Sequence, residues 1–150
     1  MKKFKFSLES VLSYKQQVLD SLQGEHAAIV AQVRAQEKRV EDCWNTYRQC
    51  DEEYRLKVRT GLAVTEARIY QSRLRAMERE IQQETSLLEE LRKKEEEKRA
   101  EVVEAKKEST SIEKLKEKKL AAYQKEEAKG EEQFIEEFVS TTRILSRASV

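Results

Sequence analysis

Cys43 and Cys50 are the only thiols in the chain and His26 the only imidazole, so metal ligation, redox chemistry or acid-base catalysis would have to draw on them. On one helix the two cysteines, seven residues apart, share a face at a separation of roughly 10 Å for a 1.5 Å rise per residue. They cannot pair with each other, since disulfide geometry needs α-carbons within about 7 Å. A zinc site needs more ligands than two cysteines and one distant histidine supply. His26 has no Asp, Cys or second His at a useful spacing in the sequence. Ser109, Thr110 and Ser111 form a hydroxyl trio inside a helical run with no general base beside them. The expectation is a chain that is not an enzyme and needs no cofactor or metal.

The elements that carry these residues are read from composition and period. There is no proline, and 39% of residues are charged against 7% aromatic, a balance that suits long wet-faced helices and not turn-rich sheets. Apolar residues recur at helical spacing, which predicts a thin seam and a rod in place of a thick core. With 30 basic and 29 acidic residues, no single-sign field steers the chain to nucleic acid or an anionic membrane. No stretch approaches the roughly 18 apolar residues of a membrane span, and no signal peptide is visible, so the cytosol is the expected compartment.

The pattern is interrupted centrally at Thr60–Thr65. Gly61 can take the left-handed conformation that ends a helix, and Thr65 is suited to cap the next one, with Glu66 in its first turn and Val64 and Ile69 at staple positions. The fold class expected is all-α: a long two-helix antiparallel coiled-coil hairpin with a C-terminal helical overhang, forming a single elongated domain. Helix one is placed from about Ser7 to Arg59, capped by Ser7 with Phe6 and Val11 as a staple; helix two runs from about Glu66 to Lys129. A break is expected at Gly130, followed by an extension over 130–150.

A seven-residue repeat runs through Leu12, Leu19, His26, Val33, Val40, Tyr47 and Tyr54. It is flanked by Leu8, Leu22, Ile29, Val30, Trp44 and Val58, and interrupted by Gln16, Gln23, Glu37 and Asp51. The second arm carries Tyr70, Met77, Leu91, Ala105 and Ile112 on one repeat, with Leu74, Ile81, Leu88 and Val102 beside it. Folding about Gly61 aligns residues whose numbers add to about 124, setting Tyr54 beside Tyr70, Tyr47 beside Met77, Val33 beside Leu91 and Leu12 near Ile112. Glu89 to Glu108 reads as a solvated helix with i,i+4 ion pairs. An equal return arm ends near Lys118, and the overhang then bears a helical stripe of Phe134, Ile135, Phe138 and Val139 with no internal partner, a candidate docking face.

The opening, Phe4, Phe6, Leu8, Glu9, Val11, Leu12 and Lys15 in a basic amphipathic helix start, followed by a central turn and a charged second arm in 150 residues, resembles the FliJ family of flagellar export proteins. The resemblance implies a soluble antiparallel coiled coil, similar to the central stalk of rotary ATPases. Such a protein serves flagellum biogenesis in the cytoplasmic part of the type III export machine, peripheral to the cell membrane. It implies three partners: the hexameric export ATPase, the cytoplasmic part of the membrane export gate, and export chaperones. The ATPase-facing residues would be Phe4, Phe6, Leu8, Val11 and Leu12 with Phe134, Ile135, Phe138 and Val139. The gate-facing residues would be Tyr70, Leu74, Met77 and Ile81, although the hairpin register buries Tyr70 and Met77. Two alternatives have the same architecture: a stalk protein of a virulence type III system, and a structural coiled coil that self-associates through its tail stripe.

Overall fold

The computed structural model describes residues 2–149 and contains two helices, α1 (Glu9–Thr60) and α2 (Val64–Ala148), with no strand among the described residues. They pack against each other as an all-α hairpin. The chain divides into two compact units, one comprising Asp20–Val103 and the other the residues up to Leu19 with those from Glu104 onward.

The Asp20–Val103 unit is organised by its turn. Gly61 has a φ of 106° and is the only residue of positive φ among those described. A side chain at this angle meets its own backbone, which is why glycine occupies the position. Thr60 closes α1 by donating its hydroxyl to the Leu56 and Lys57 carbonyls, each at 3.2 Å. The return begins earlier than Thr65: the Ala67 N–H donates to the Ala63 carbonyl at 3.0 Å, so Thr65 already lies within the first turn of α2 and does not cap it. Val64 and Ile69 stay 71% and 54% exposed and form no closed staple. Three residues suffice for the reversal once Gly61 is left-handed.

Within this unit α1 has buried and half-buried positions in alternating steps of three and four, Leu22, His26, Ile29, Val33, Gln36, Val40, Cys43, Tyr47, Cys50 and Tyr54, with half-buried Val30 and Asp51 beside them. Those of α2 do the same from Tyr70 through Leu74, Met77, Ile81, Glu84, Leu88, Leu91, Glu95 and Lys98 to Val102. This is the spacing that keeps one face of each helix against the other. The register is visible in contacts. The Tyr54 and Tyr70 ring centroids are 5.5 Å apart, and the Tyr47 hydroxyl donates to Glu78 at 3.1 Å. Gln23 and Glu37, expected to interrupt the seam, are exposed, because the second repeat runs one position earlier through Leu22 and Gln36. Trp44 and Val58 likewise lie outside, at 41% and 52% exposure.

In the other unit α1 opens at Leu8, whose carbonyl accepts from the Leu12 N–H at 2.9 Å. Ser7 precedes it in a turn closed by the Glu9 N–H on the Phe6 carbonyl at 3.1 Å, so the helix starts one residue later than a Ser7 cap would place it. Phe6 decides this entry. It is buried, between Phe4, which packs on Tyr123 with centroids 5.6 Å apart, and Glu9, which meets Lys116 at 2.7 Å. Val11, its expected staple partner, stays 39% exposed, while the Phe4–Tyr123 and Glu9–Lys116 contacts on either side of Phe6 lay the segment on α2. Lys15 with Glu108 at 2.7 Å and Gln16 with Glu113 at 3.1 Å continue the pairing along the seam's edge.

Because residues 2–6 lie against α2 as far as Tyr123, whose hydroxyl donates to the Lys2 carbonyl, the uncovered tail starts near Gln124 and not at Lys118. Beyond it every described residue except half-buried Glu127 is exposed. No break occurs at Gly130; α2 passes through it, as α1 passes through Gly24, since one glycine costs a helix only about 1 kcal/mol against alanine.

These glycines give opposite expectations for the same substitution. Gly61→Ala should destabilise by about 1 kcal/mol or more, because its φ is unsuited to a β-carbon. Gly130→Ala, with nothing within 4 Å of the added carbon, should raise helix stability by up to about 1 kcal/mol. Urea unfolding followed by circular dichroism distinguishes them.

Candidate docking surfaces and polar seam layers

The seam is not wholly apolar, and its polar members are joined across the hairpin. In the Asp20–Val103 unit Gln36 is 5% exposed and donates its amide both to the Glu84 backbone carbonyl, at 3.0 Å, and to the Glu84 carboxylate. Ten residues earlier on α1, His26 Nε2 lies 2.9 Å from Glu95 Oε1, and Arg99 reaches the same oxygen at 2.6 Å. Lys98 donates to Glu25 across the hairpin and to Glu101 on its own helix, each at 2.9 Å. In the other unit Ser109 is 3% exposed.

Of these groups the sequence alone draws notice only to Ser109, in its hydroxyl trio, and to His26, whose partner is absent from its own arm. The available signal was positional: Gln36, Glu84, Glu95, Lys98 and Ser109 are polar residues standing where the two repeats call for apolar ones. A polar side chain at a seam position satisfies its hydrogen bonds in one alignment and not in shifted ones, which makes such layers register devices.

Their chemistry follows from geometry. Hydrogen bonds from His26 and Arg99 hold the Glu95 carboxyl below its ordinary range. Glu101 and Glu25 raise Lys98, and Glu108 raises Lys15. Burial first, then Glu80 and Glu84, pushes the Cys43 thiol up, away from the thiolate that reacts or ligates. Ser111 donates to the Lys107 carbonyl at 2.9 Å, as a helix-facing hydroxyl does. Among the described residues no three His, Cys, Asp or Glu side chains are grouped to hold a metal, and no helix is long and apolar enough to cross a membrane.

The residues with docking potential fall into three sets. Phe4, Phe6, Leu8, Val11 and Leu12 are divided: Phe6 and Leu12 are buried, Phe4 and Leu8 half-buried, and Val11 exposed. Phe134, Ile135, Phe138 and Val139 are 70%, 59%, 64% and 41% exposed, in the same unit. The stripe Tyr70, Leu74, Met77 and Ile81 is part of the seam, with Tyr70 at 7% and Ile81 at 6% exposure. As the hairpin register leads one to expect, Tyr70 is buried, and what the stripe leaves accessible are the edges of half-buried Leu74 and Met77. Leu12 is buried, and Leu19, Val33, Val40, Tyr47, Tyr54, Leu91 and Ile112 are half-buried seam residues.

Two expectations follow from the polar layers and the thiols. A carboxyl whose folded pKa is depressed stabilises the fold above its unfolded value and loses that contribution as pH falls through the folded value. Glu95→Gln should therefore lower the melting temperature at pH 7 and flatten its decline on acidification below about pH 4.5, the ordinary carboxyl value, in melts from pH 7 to 2. Cys43, half-buried, and Cys50, buried, should label with a thiol reagent at least about tenfold more slowly in the folded chain than in urea.

Against known proteins, no curated protein and no solved structure matches this chain. The family model described as flagellar FliJ protein does match, over residues 4–147. That span takes in the aromatic entry at Phe4 and Phe6, both arms, the Gly61 turn and the exposed tail stripe, and so this 150-residue chain belongs to the FliJ family of flagellar export components.

Proposed function

We propose that this protein acts as a stalk-like coiled coil of the flagellar export apparatus, binding the hexameric export ATPase and promoting its assembly and activity. One observation carries the reading: in a FliJ-family chain, α2 continues past the last residue that α1's entry segment covers, as a helix whose Phe134, Ile135, Phe138 and Val139 are open to solvent. An apolar helical stripe of this kind suits a groove in a partner protein. The amino-terminal segment belongs to the same unit, so exposed Val11 and the half-buried rims of Phe4 and Leu8 extend the surface offered to the ATPase. Phe6 and Leu12 serve it indirectly by fixing the entry of α1.

The mechanism is mechanical. A single asymmetric helix held in a six-fold ring meets six similar but unequal surfaces. It can bridge subunits during assembly and bias which of them hydrolyses ATP. Contact with the cytoplasmic part of the export gate, through the edges of Leu74 and Met77, and with export chaperones on other exposed faces, would link the ring to the cytoplasmic face of the membrane and to arriving cargo. The protein has no catalytic role in this reading.

Deleting the residues after Gly130, or replacing Phe134 and Phe138 with alanine in the full chain, should remove most of the stimulation of ATP hydrolysis by the cognate ATPase. Helix content by circular dichroism should fall in the deletion only in proportion to the residues removed. Stimulation equal to that of the intact chain, with the variants folded, sinks the proposal.

A further inference from the structure

The tail stripe has an internal symmetry. Phe134 and Leu145 are equidistant from the Val139–Ser140 bond; so are Glu136 and Arg143, and so are Glu132 and Arg147. Two of the four acidic residues on the amino-terminal side, Glu132 and Glu136, are thus matched by a basic residue at the same distance on the other, while Glu131 and Glu137 mirror Ala148 and Thr142; the outer apolar residue is matched by another apolar one. All lie on α2, and the apolar members Phe134, Ile135, Phe138, Val139 and Leu145 are exposed.

The helix places the charges where this symmetry has a consequence. At 100° per residue the five apolar side chains span an arc of about 140°, and Glu132, Glu136, Arg143 and Arg147 cluster within about 60° on one flank of it. When two helices pair about a two-fold axis perpendicular to them, like flanks face each other and run in opposite directions. The charged flank of one copy would then set Glu136 and Glu132 opposite Arg143 and Arg147 of the other, while Phe134 meets Leu145 on either side of a central Phe138 layer. In a parallel pair unlike flanks face each other, so the two charged flanks would lie on opposite sides and these ion pairs would not form.

We propose that, in the absence of another partner, the tail stripe is covered by the tail of a second copy of this chain, in an antiparallel two-fold pair centred on Val139–Ser140. The same helix already takes an antiparallel helix as its partner in the hairpin, and the charge pattern selects this orientation. Five side chains expose on the order of 400 Å² of apolar surface per copy, about half of what each partner gives to a standard stable interface. The pair is accordingly weak and reversible, with a Kd of about 10–500 µM, and exchangeable for a larger partner. This inference concerns the free protein and stands or falls separately from binding to the ATPase.

The test is sedimentation equilibrium of the full chain from about 5 µM to 1 mM, without any ATPase. The wild type should move from monomer to dimer across that range and dissociate as salt is raised. Glu132→Arg with Glu136→Arg should raise the Kd at least tenfold, as should Arg143→Glu with Arg147→Glu; mixing the two variants should restore a dimer, now between unlike chains. These positions are exposed, so unchanged circular dichroism is expected and is measured alongside. A wild type that stays monomeric at 1 mM, a dimer indifferent to charge reversal, or variants that do not recover on mixing would each overturn the proposal.

Discussion

Everything in this molecule depends on two helices presenting a face in steps of three and four to each other in one alignment. The turn at Gly61 brings the arms of Asp20–Val103 back, and the pairs of that unit, from Tyr54 with Tyr70 to Glu25 with Lys98, then meet at positions whose numbers add to between 120 and 129. Apolar packing favours contact but discriminates poorly among registers one heptad apart, since a leucine layer fits a neighbouring leucine layer nearly as well. The polar layers remove that degeneracy. Gln36 with Glu84, and His26 with Glu95 and Arg99, find their donors and acceptors in one register, and slipping by a heptad would leave them unsatisfied inside the seam.

What could be read from the sequence was whatever follows from period. The repeat through Leu12, Leu19, His26, Val33, Val40, Tyr47 and Tyr54 and the turn glycine were enough to place Tyr54 against Tyr70. Helix ends were less legible. Ser7 and Thr65 are good caps by type, but α1 begins where an entry segment with buried Phe6, laid on α2 by Phe4 and Glu9, lets it, and α2 begins as soon as the left-handed Gly61 allows. Local preference worth about 1 kcal/mol yields to burial of an aromatic side chain worth more. The His26 partner was illegible for a different reason: Glu95 is 69 residues away, and only the folded register makes them neighbours.

The docking surfaces show the same division. The tail stripe was legible because an apolar helical arc without an intramolecular partner is visible in spacing alone. The early α2 stripe was ambiguous because an apolar stripe does not declare whether its own chain or another covers it; here Tyr70 and Ile81 are taken up by the seam. The entry segment is intermediate, since its phenylalanines do both. Phe4 packs on Tyr123 and remains half-buried, so the segment that closes the hairpin also forms part of its surface.

The account divides the chain into a hairpin that is complete without a partner and a tail that is not. Hydrogen exchange of the full-length protein, measured alone and then with the assembled export ATPase, tests that division most directly. The expected result is strong protection along both arms of Asp20–Val103 that the ATPase leaves unchanged, with fast exchange from Gln124 onward that slows markedly around Phe134 to Val139 on binding. Unchanged exchange in the tail, with new protection appearing instead within Asp20–Val103, would contradict it.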